Sequence, residues 1–220
     1  MTPVGKDAVL RRMIDVGIVP VLRASSAEEA IAVADAIVAG GIDILEITMT
    51  VPGAVHVIAD VVRRYGDRLL VGAGTVLDVT AARECMAAGA RFIVAPIVDE
   101  PTIALCRHQD VAVLPGALTP TEVVRAWRAG ADLVKVFPCS AVGGASYIKA
   151  LKAPLPQILL VPTGGVTVAT AGAYFAAGAS AIGVGSDLCN VAAVRDGRPD
   201  RITDAARAYL DAVRAARVTA

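Results

Sequence analysis

The strongest constraint on this chain is a repeat. Eight short apolar runs, each followed by a stretch of helical spacing, end at Arg23, Thr48, Ala73, Ala95, Pro115, Val136, Pro162 and Val184, 20 to 26 residues apart. Four near-identical phrases precede such runs: Ala39-Gly40-Gly41-Ile42, Ala88-Gly89-Ala90-Arg91, Ala129-Gly130-Ala131-Asp132 and Ala177-Gly178-Ala179-Ser180. Each reads as a helix end with glycine in the left-handed cap, turning into a strand. Strands that alternate with helices pair in parallel, and eight such units without a linker predict an α/β fold, the (β/α)8 TIM barrel. An open doubly wound sheet needs fewer units, and no Gly-x-Gly-x-x-Gly follows the first strand. Apolar residues at helical spacing over 7–16 predict one extra N-terminal helix. Residues 1–220 are expected to form a single barrel domain, a common size for this architecture.

With 55% apolar and only 4% aromatic residues, the core must be aliphatic. The mean hydropathy of +0.62 raises the question of a membrane span. The longest uncharged stretch, 153–186, is punctuated by proline, glycine, threonine and glutamine, so it reads as several short elements. Lys plus Arg equal Asp plus Glu at 21 each, which gives no field for nucleic acid or an anionic membrane. Charges at Lys6, Asp7, Arg11 and Arg12 interrupt any signal core. Cys85, Cys106, Cys139 and Cys189 show no paired or metal-ligand spacing and read as reduced thiols of a cytoplasmic protein. No His/Cys/carboxylate cluster suggests a metal, and His56 and His108 lie away from strand ends.

In such barrels the active site lies at the C-terminal ends of the strands. On the sixth strand, Leu133, Lys135 and Phe137 share one face, while Val134 and Val136 take the other. Only 4 of the 21 basic residues are lysines, so a lysine inside a strand is hard to dismiss as surface charge. Burial among apolar neighbours is expected to lower its pKa, and a neutral lysine can attack a carbonyl to form a Schiff base. A lysine that snorkels to water at a strand end is the competing reading.

Glu46, the one glutamate within a strand, faces the same side as Ile44 and Thr48. An apolar setting suits it to proton transfer, and a structural ion pair with Lys135 or Arg23 is compatible with that role. Arg23 ends strand 1, Thr75 follows strand 3, and Pro96 follows strand 4. Gly164 and Gly165 follow strand 7, and Gly185 and Ser186 follow strand 8, where barrels often bind phosphate through backbone N–H groups.

The stretches Leu45-Glu46-Ile47-Thr48, Val71-Gly72-Ala73-Gly74-Thr75-Val76-Leu77, Leu114-Pro115-Gly116-Ala117-Leu118-Thr119-Pro120-Thr121-Glu122, Lys135-Val136-Phe137-Pro138 and Pro162-Thr163-Gly164-Gly165-Val166 together resemble one family. It is that of the 2-keto-3-deoxy-6-phosphogluconate and 4-hydroxy-2-oxoglutarate aldolases, and the resemblance covers nearly the whole chain. It implies a cofactor-free, metal-independent class I aldolase, commonly a homotrimer, acting on a phosphorylated keto acid. By this resemblance Lys135 is the Schiff-base lysine and Glu46 the general acid/base. Thr75, Pro96 and Phe137 would line the pyruvyl pocket, and the glycine loops with Ser186 would hold phosphate. One position departs: Thr50 stands where the family pattern Glu-x-Thr-x-Arg-Thr has arginine. Arg23 is expected to supply a carboxylate contact instead. A galactonate-derived epimer, an unphosphorylated sugar acid and hydroxy-oxoglutarate stay open as substrates. Another phosphosugar barrel enzyme, an isomerase or decarboxylase, is the alternative activity.

Overall fold

The helices begin and end where the sequence supplies caps. The computed structural model describes residues 5–218. Ser26 accepts from the Glu29 N–H at the start of α2 (Ala27–Ala39), Asp78 does the same for α4 (Val79–Ala87), and Asp99 for α5 (Glu100–His108). Thr119 and Glu122 form a reciprocal capping box at α6 (Pro120–Ala129). The four recurrent glycine phrases each place a glycine at positive φ: Gly41 at 92°, Gly89 at 101°, Gly130 at 97° and Gly178 at 94°.

Between these helices run the strands β1 (Ile18–Leu22), β2 (Ile44–Thr48), β3 (Leu70–Gly74), β4 (Phe92–Val94) and β5 (Ala112–Leu114). Next come β6 (Gly116–Ala117), β7 (Val134–Val136), β8 (Leu160–Pro162) and β9 (Ile182–Val184). All pairs are parallel. One sheet runs β5-β4-β3-β2-β1-β9 and the other β6-β7-β8. They join into a barrel at both seams. At one, β5 continues into β6 past Pro115, whose carbonyl accepts from the Lys135 N–H at 2.9 Å. At the other, Thr163 bridges Gly183 and the Ser180 N–H donates to the Leu160 carbonyl.

The expected eight-unit barrel is therefore present, with two local differences. The fifth strand is split, because Pro115 has no N–H to continue the ladder. A turn of 3₁₀ helix at Cys139–Val142 and the short α9 (Val191–Arg195) interrupt stretches whose periodicity was too brief to predict them. The remaining helices are α1 (Lys6–Val16), α3 (Ala54–Tyr65), α7 (Ala145–Lys152), α8 (Val168–Ala176) and α10 (Asp200–Val218).

Strand side chains divide by parity. Leu45, Ile47, Val134 and Val136 face the helices and join the large outer core. Ile44, Leu70, Phe92, Leu133 and Val161 point inward and fill the barrel floor. Val9 and Met13 of α1 close that floor from the N-terminal end, which explains the extra helix. Burying this aliphatic surface at roughly 25 cal/mol per Å² is the main stabilising term. Among the described residues no helix is long and apolar enough to cross a membrane.

Candidate active site

Above the apolar floor, the same inward parity brings polar groups to the barrel mouth. Glu46 on β2 follows Ile44, and Lys135 on β7 follows Leu133. The two side chains are only 3% and 5% exposed, and Lys135 Nζ lies 3.7 Å from Glu46 Oε1. That distance is an ion-pair contact and not a hydrogen bond. Glu46 Oε1 is buried with no hydrogen-bond partner. An orphaned buried oxygen costs on the order of 1–3 kcal/mol, so its retention points to a use for the atom.

Two glycines of β3 make the space. A side chain at Gly74 would start 1.9 Å from Glu46 Oε1, and one at Gly72 would start 2.3 Å from the Phe92 ring. Gly72 thus admits the ring that floors the site, and Gly74 admits the carboxylate above it.

The other sequence-predicted residues gather around this pair. Phe137 places its ring centroid 5.4 Å from Lys135 Nζ. The same ring stands 3.4 Å from where a Gly164 side chain would begin, so it links the lysine to the loop after β8. Pro96 passes over Gly116, the register partner of Lys135, with its backbone 2.4 Å from a would-be side chain there. Thr75 sits at the end of β3 with φ of 58°. A β-branched residue in the left-handed region is strained, and such strain persists where surrounding structure imposes a required side-chain position.

Gly164 and Gly165 have φ of 92° and 72°. The loop after β7 clasps theirs: the Cys139 N–H donates to the Thr163 carbonyl at 2.9 Å and the Ser140 N–H to the Gly164 carbonyl at 3.2 Å. The N–H groups of Gly165, Val166 and Ser186 have no acceptor among the described residues. They are available to an anion. Arg23, exposed at the end of β1, brings Nη1 to 3.4 Å from the would-be side-chain position at Gly185. The geometry therefore groups Arg23 with the β9 loop. The Thr48 hydroxyl donates to the Leu22 carbonyl at 2.8 Å, which leaves Thr50, 2.7 Å away, to donate to Thr48. The short Thr50 side chain is thus tied to its own strand.

Two buried residues were given no role at the site by the sequence. Thr163 is 4% exposed and shares inward parity with Val161, a signal that was legible. Its Oγ1 needs the bare backbone of Gly183, where a side chain would start 2.2 Å away. Cys189 is buried near Glu46 and Arg23; burial first, and the Glu46 charge second, push its thiol above the usual range. Nothing periodic marks that position. Among the described residues no cluster of three or more His, Cys, Asp or Glu is placed to hold a metal ion.

A model of the KDPG and KHG aldolase family matches residues 9–205. The 2-dehydro-3-deoxy-phosphogluconate aldolase of Treponema pallidum (strain Nichols) is 36% identical over 161 residues, 73% of this chain and 76% of the relative. The 2-dehydro-3-deoxy-6-phosphogalactonate aldolase of Escherichia coli (strain K12) is 35% identical over 197 residues, 89% and 96% of the two chains. A crystal structure of KDPG aldolase from Legionella pneumophila, with pyruvate captured at low pH as a covalent carbinolamine, is 28% identical. It superposes with a TM-score of 0.85 over 94% of this chain and 98% of that one. The inward lysine–glutamate pair at the barrel mouth and these matches across most of the chain lead to one conclusion: the protein belongs to the KDPG and KHG aldolase family.

Proposed function

We propose that this class I aldolase cleaves 2-keto-3-deoxy-6-phosphogluconate, or a close relative, to pyruvate and glyceraldehyde 3-phosphate. By the same chemistry it would cleave 4-hydroxy-2-oxoglutarate to pyruvate and glyoxylate. The observation that carries the reading is the buried pair, Lys135 Nζ 3.7 Å from an otherwise unpartnered Glu46 Oε1. The Lys135 amine adds to the C2 ketone, and the carbinolamine loses water to give an iminium. Glu46 takes the proton of the C4 hydroxyl. The C3–C4 bond breaks, its electron pair flows into the iminium to give an enamine, and the aldehyde leaves. Protonation at C3 and hydrolysis release pyruvate and the free amine. The iminium serves as the electron sink.

Phe137, Thr75 and Pro96 wall the pyruvyl end. The free N–H groups near Gly164, Gly165 and Gly185, the Ser186 hydroxyl and the Arg23 guanidinium hold the phosphate. Thr50, tied to Thr48, carries no charge, so besides Lys135 the basic side chain offered to the substrate is Arg23. Exposed Leu77, Ile97 and Trp127, on three consecutive units, support a homotrimer through an apolar subunit surface. Four unpaired buried cysteines support a reducing, cytoplasmic setting. The test is pyruvate release from 2-keto-3-deoxy-6-phosphogluconate followed with lactate dehydrogenase. Turnover by the wild type and none by Lys135→Met supports the reading, and equal turnover overturns it.

A further inference from the structure

The C-terminal helix sends one side chain up to the barrel mouth. Tyr209 of α10 is fully buried. Its hydroxyl oxygen lies 2.5 Å from Asp187 Oδ2 and 3.3 Å from the Val166 carbonyl oxygen. Asp187 directly follows Gly185-Ser186, and Val166 directly follows Gly164-Gly165. One phenol from the last helix therefore touches both loops assigned to phosphate. A phenol has a single proton to donate. The short contact to the carboxylate takes most of it, and the Val166 carbonyl takes the weaker share. Burial, reinforced by the Asp187 carboxylate, pushes the phenol above its usual range, so the donor stays protonated throughout the working pH range.

The charge on Asp187 makes this contact matter. It is the one carboxylate in the two loops, and it is adjacent to Ser186. Left free, it would repel a phosphate dianion bound at the Ser186 N–H. Hydrogen bonding to Tyr209 draws it toward the α10 side of the loop and satisfies one of its oxygens. We propose that Tyr209 is a positioning residue for the substrate phosphate, fixing the spacing of the two anion loops and holding Asp187 back. The proposal rests on the phosphate assignment above.

The test compares 2-keto-3-deoxy-6-phosphogluconate with unphosphorylated 2-keto-3-deoxygluconate in the wild type, Tyr209→Phe and Tyr209→Phe/Asp187→Asn. Phenylalanine keeps the ring in the core and removes only the hydroxyl. The ratio of kcat/KM between the two substrates cancels any change in the folded fraction. In Tyr209→Phe, KM for the phosphorylated acid is expected to rise about tenfold with kcat within about twofold, the effect of losing one charge-assisted contact. The kcat/KM for the unphosphorylated acid stays unchanged. Removing the Asp187 charge in the double variant brings KM back toward the wild-type value. An unchanged ratio in Tyr209→Phe, or an equal loss on both substrates, overturns the proposal. A double variant as impaired as the single overturns the role given to the Asp187 charge. A wild type that does not distinguish the two substrates overturns the phosphate assignment itself, and that result appears before any variant is made.

Discussion

Lys135 Nζ and Glu46 Oε1 face each other at 3.7 Å with both side chains almost wholly withdrawn from water. Desolvating two charges costs several kcal/mol, and a pair without a full set of hydrogen bonds does not recover it. On the proposed mechanism the pair serves chemistry at the expense of stability. Replacing both partners, Lys135→Met with Glu46→Met, is expected to raise Tm by about 2–16 °C, from roughly 1–4 kcal/mol at about 2–4 °C per kcal/mol in a domain of this size. Either single replacement is expected to lower Tm. Calorimetry of the wild type and the three variants checks this, and a double variant no more stable than the wild type would contradict it.

The two residues separate in kinetics. Lys135→Met removes the proposed nucleophile, and turnover should vanish in a folded barrel. Glu46→Gln keeps the nucleophile and removes the base, so kcat should fall by about 10²- to 10⁴-fold while a pyruvate Schiff base still forms. Steady-state rates with borohydride trapping distinguish the two.

Neighbouring glycines of β3 should fail differently. Gly74→Ala would drive a methyl to within 1.9 Å of Glu46 Oε1, and Gly72→Ala would drive one to 2.3 Å from the Phe92 ring. Gly74→Ala displaces the proposed general base and is expected to cost at least about 10²-fold in kcat/KM. Gly72→Ala overpacks the floor and is expected to cost about 1–3 kcal/mol of stability. Parallel measurements of urea unfolding and activity check the contrast.

The cysteines should be silent in the native state. Burial raises Cys85 and Cys139 to about 11 and Cys106 to about 12, and the Cys189 thiol is also pushed up. The thiolate is the reactive form, and about 1% or less of it is present at pH 8 for such groups. Titration with an aromatic disulfide at pH 8 should be slow in the folded protein and should release four equivalents in guanidinium. Rapid native labelling would mean that the thiols are exposed.

The barrel was legible because every strand–helix unit carries an apolar run, and many add a side-chain cap or a left-handed glycine. The facing of Glu46 and Lys135 was legible because strand parity is strict. What local pattern cannot carry is distance between units. Pro115 splits β5 from β6, yet its carbonyl accepts from the Lys135 N–H, a pairing between distant units that no local pattern records. The match of Gly74 to Glu46 joins neighbouring strands in a register visible only in three dimensions. Arg23 lies beside Gly185 because β9 pairs with β1 to close the barrel, a neighbour that strand 1 alone does not reveal. Tyr209 reads as one more apolar position of an amphipathic helix, and its hydroxyl acquires meaning only where α10 meets the two loops.

The most direct measurement is borohydride reduction in the presence of pyruvate, followed by peptide mapping. The chain has lysines only at Lys6, Lys135, Lys149 and Lys152, so the assignment is unambiguous. A reduced pyruvyl adduct on Lys135 alone, retained in Glu46→Gln, is the predicted result. No adduct in folded protein, or an adduct on Lys149 or Lys152, would contradict the account.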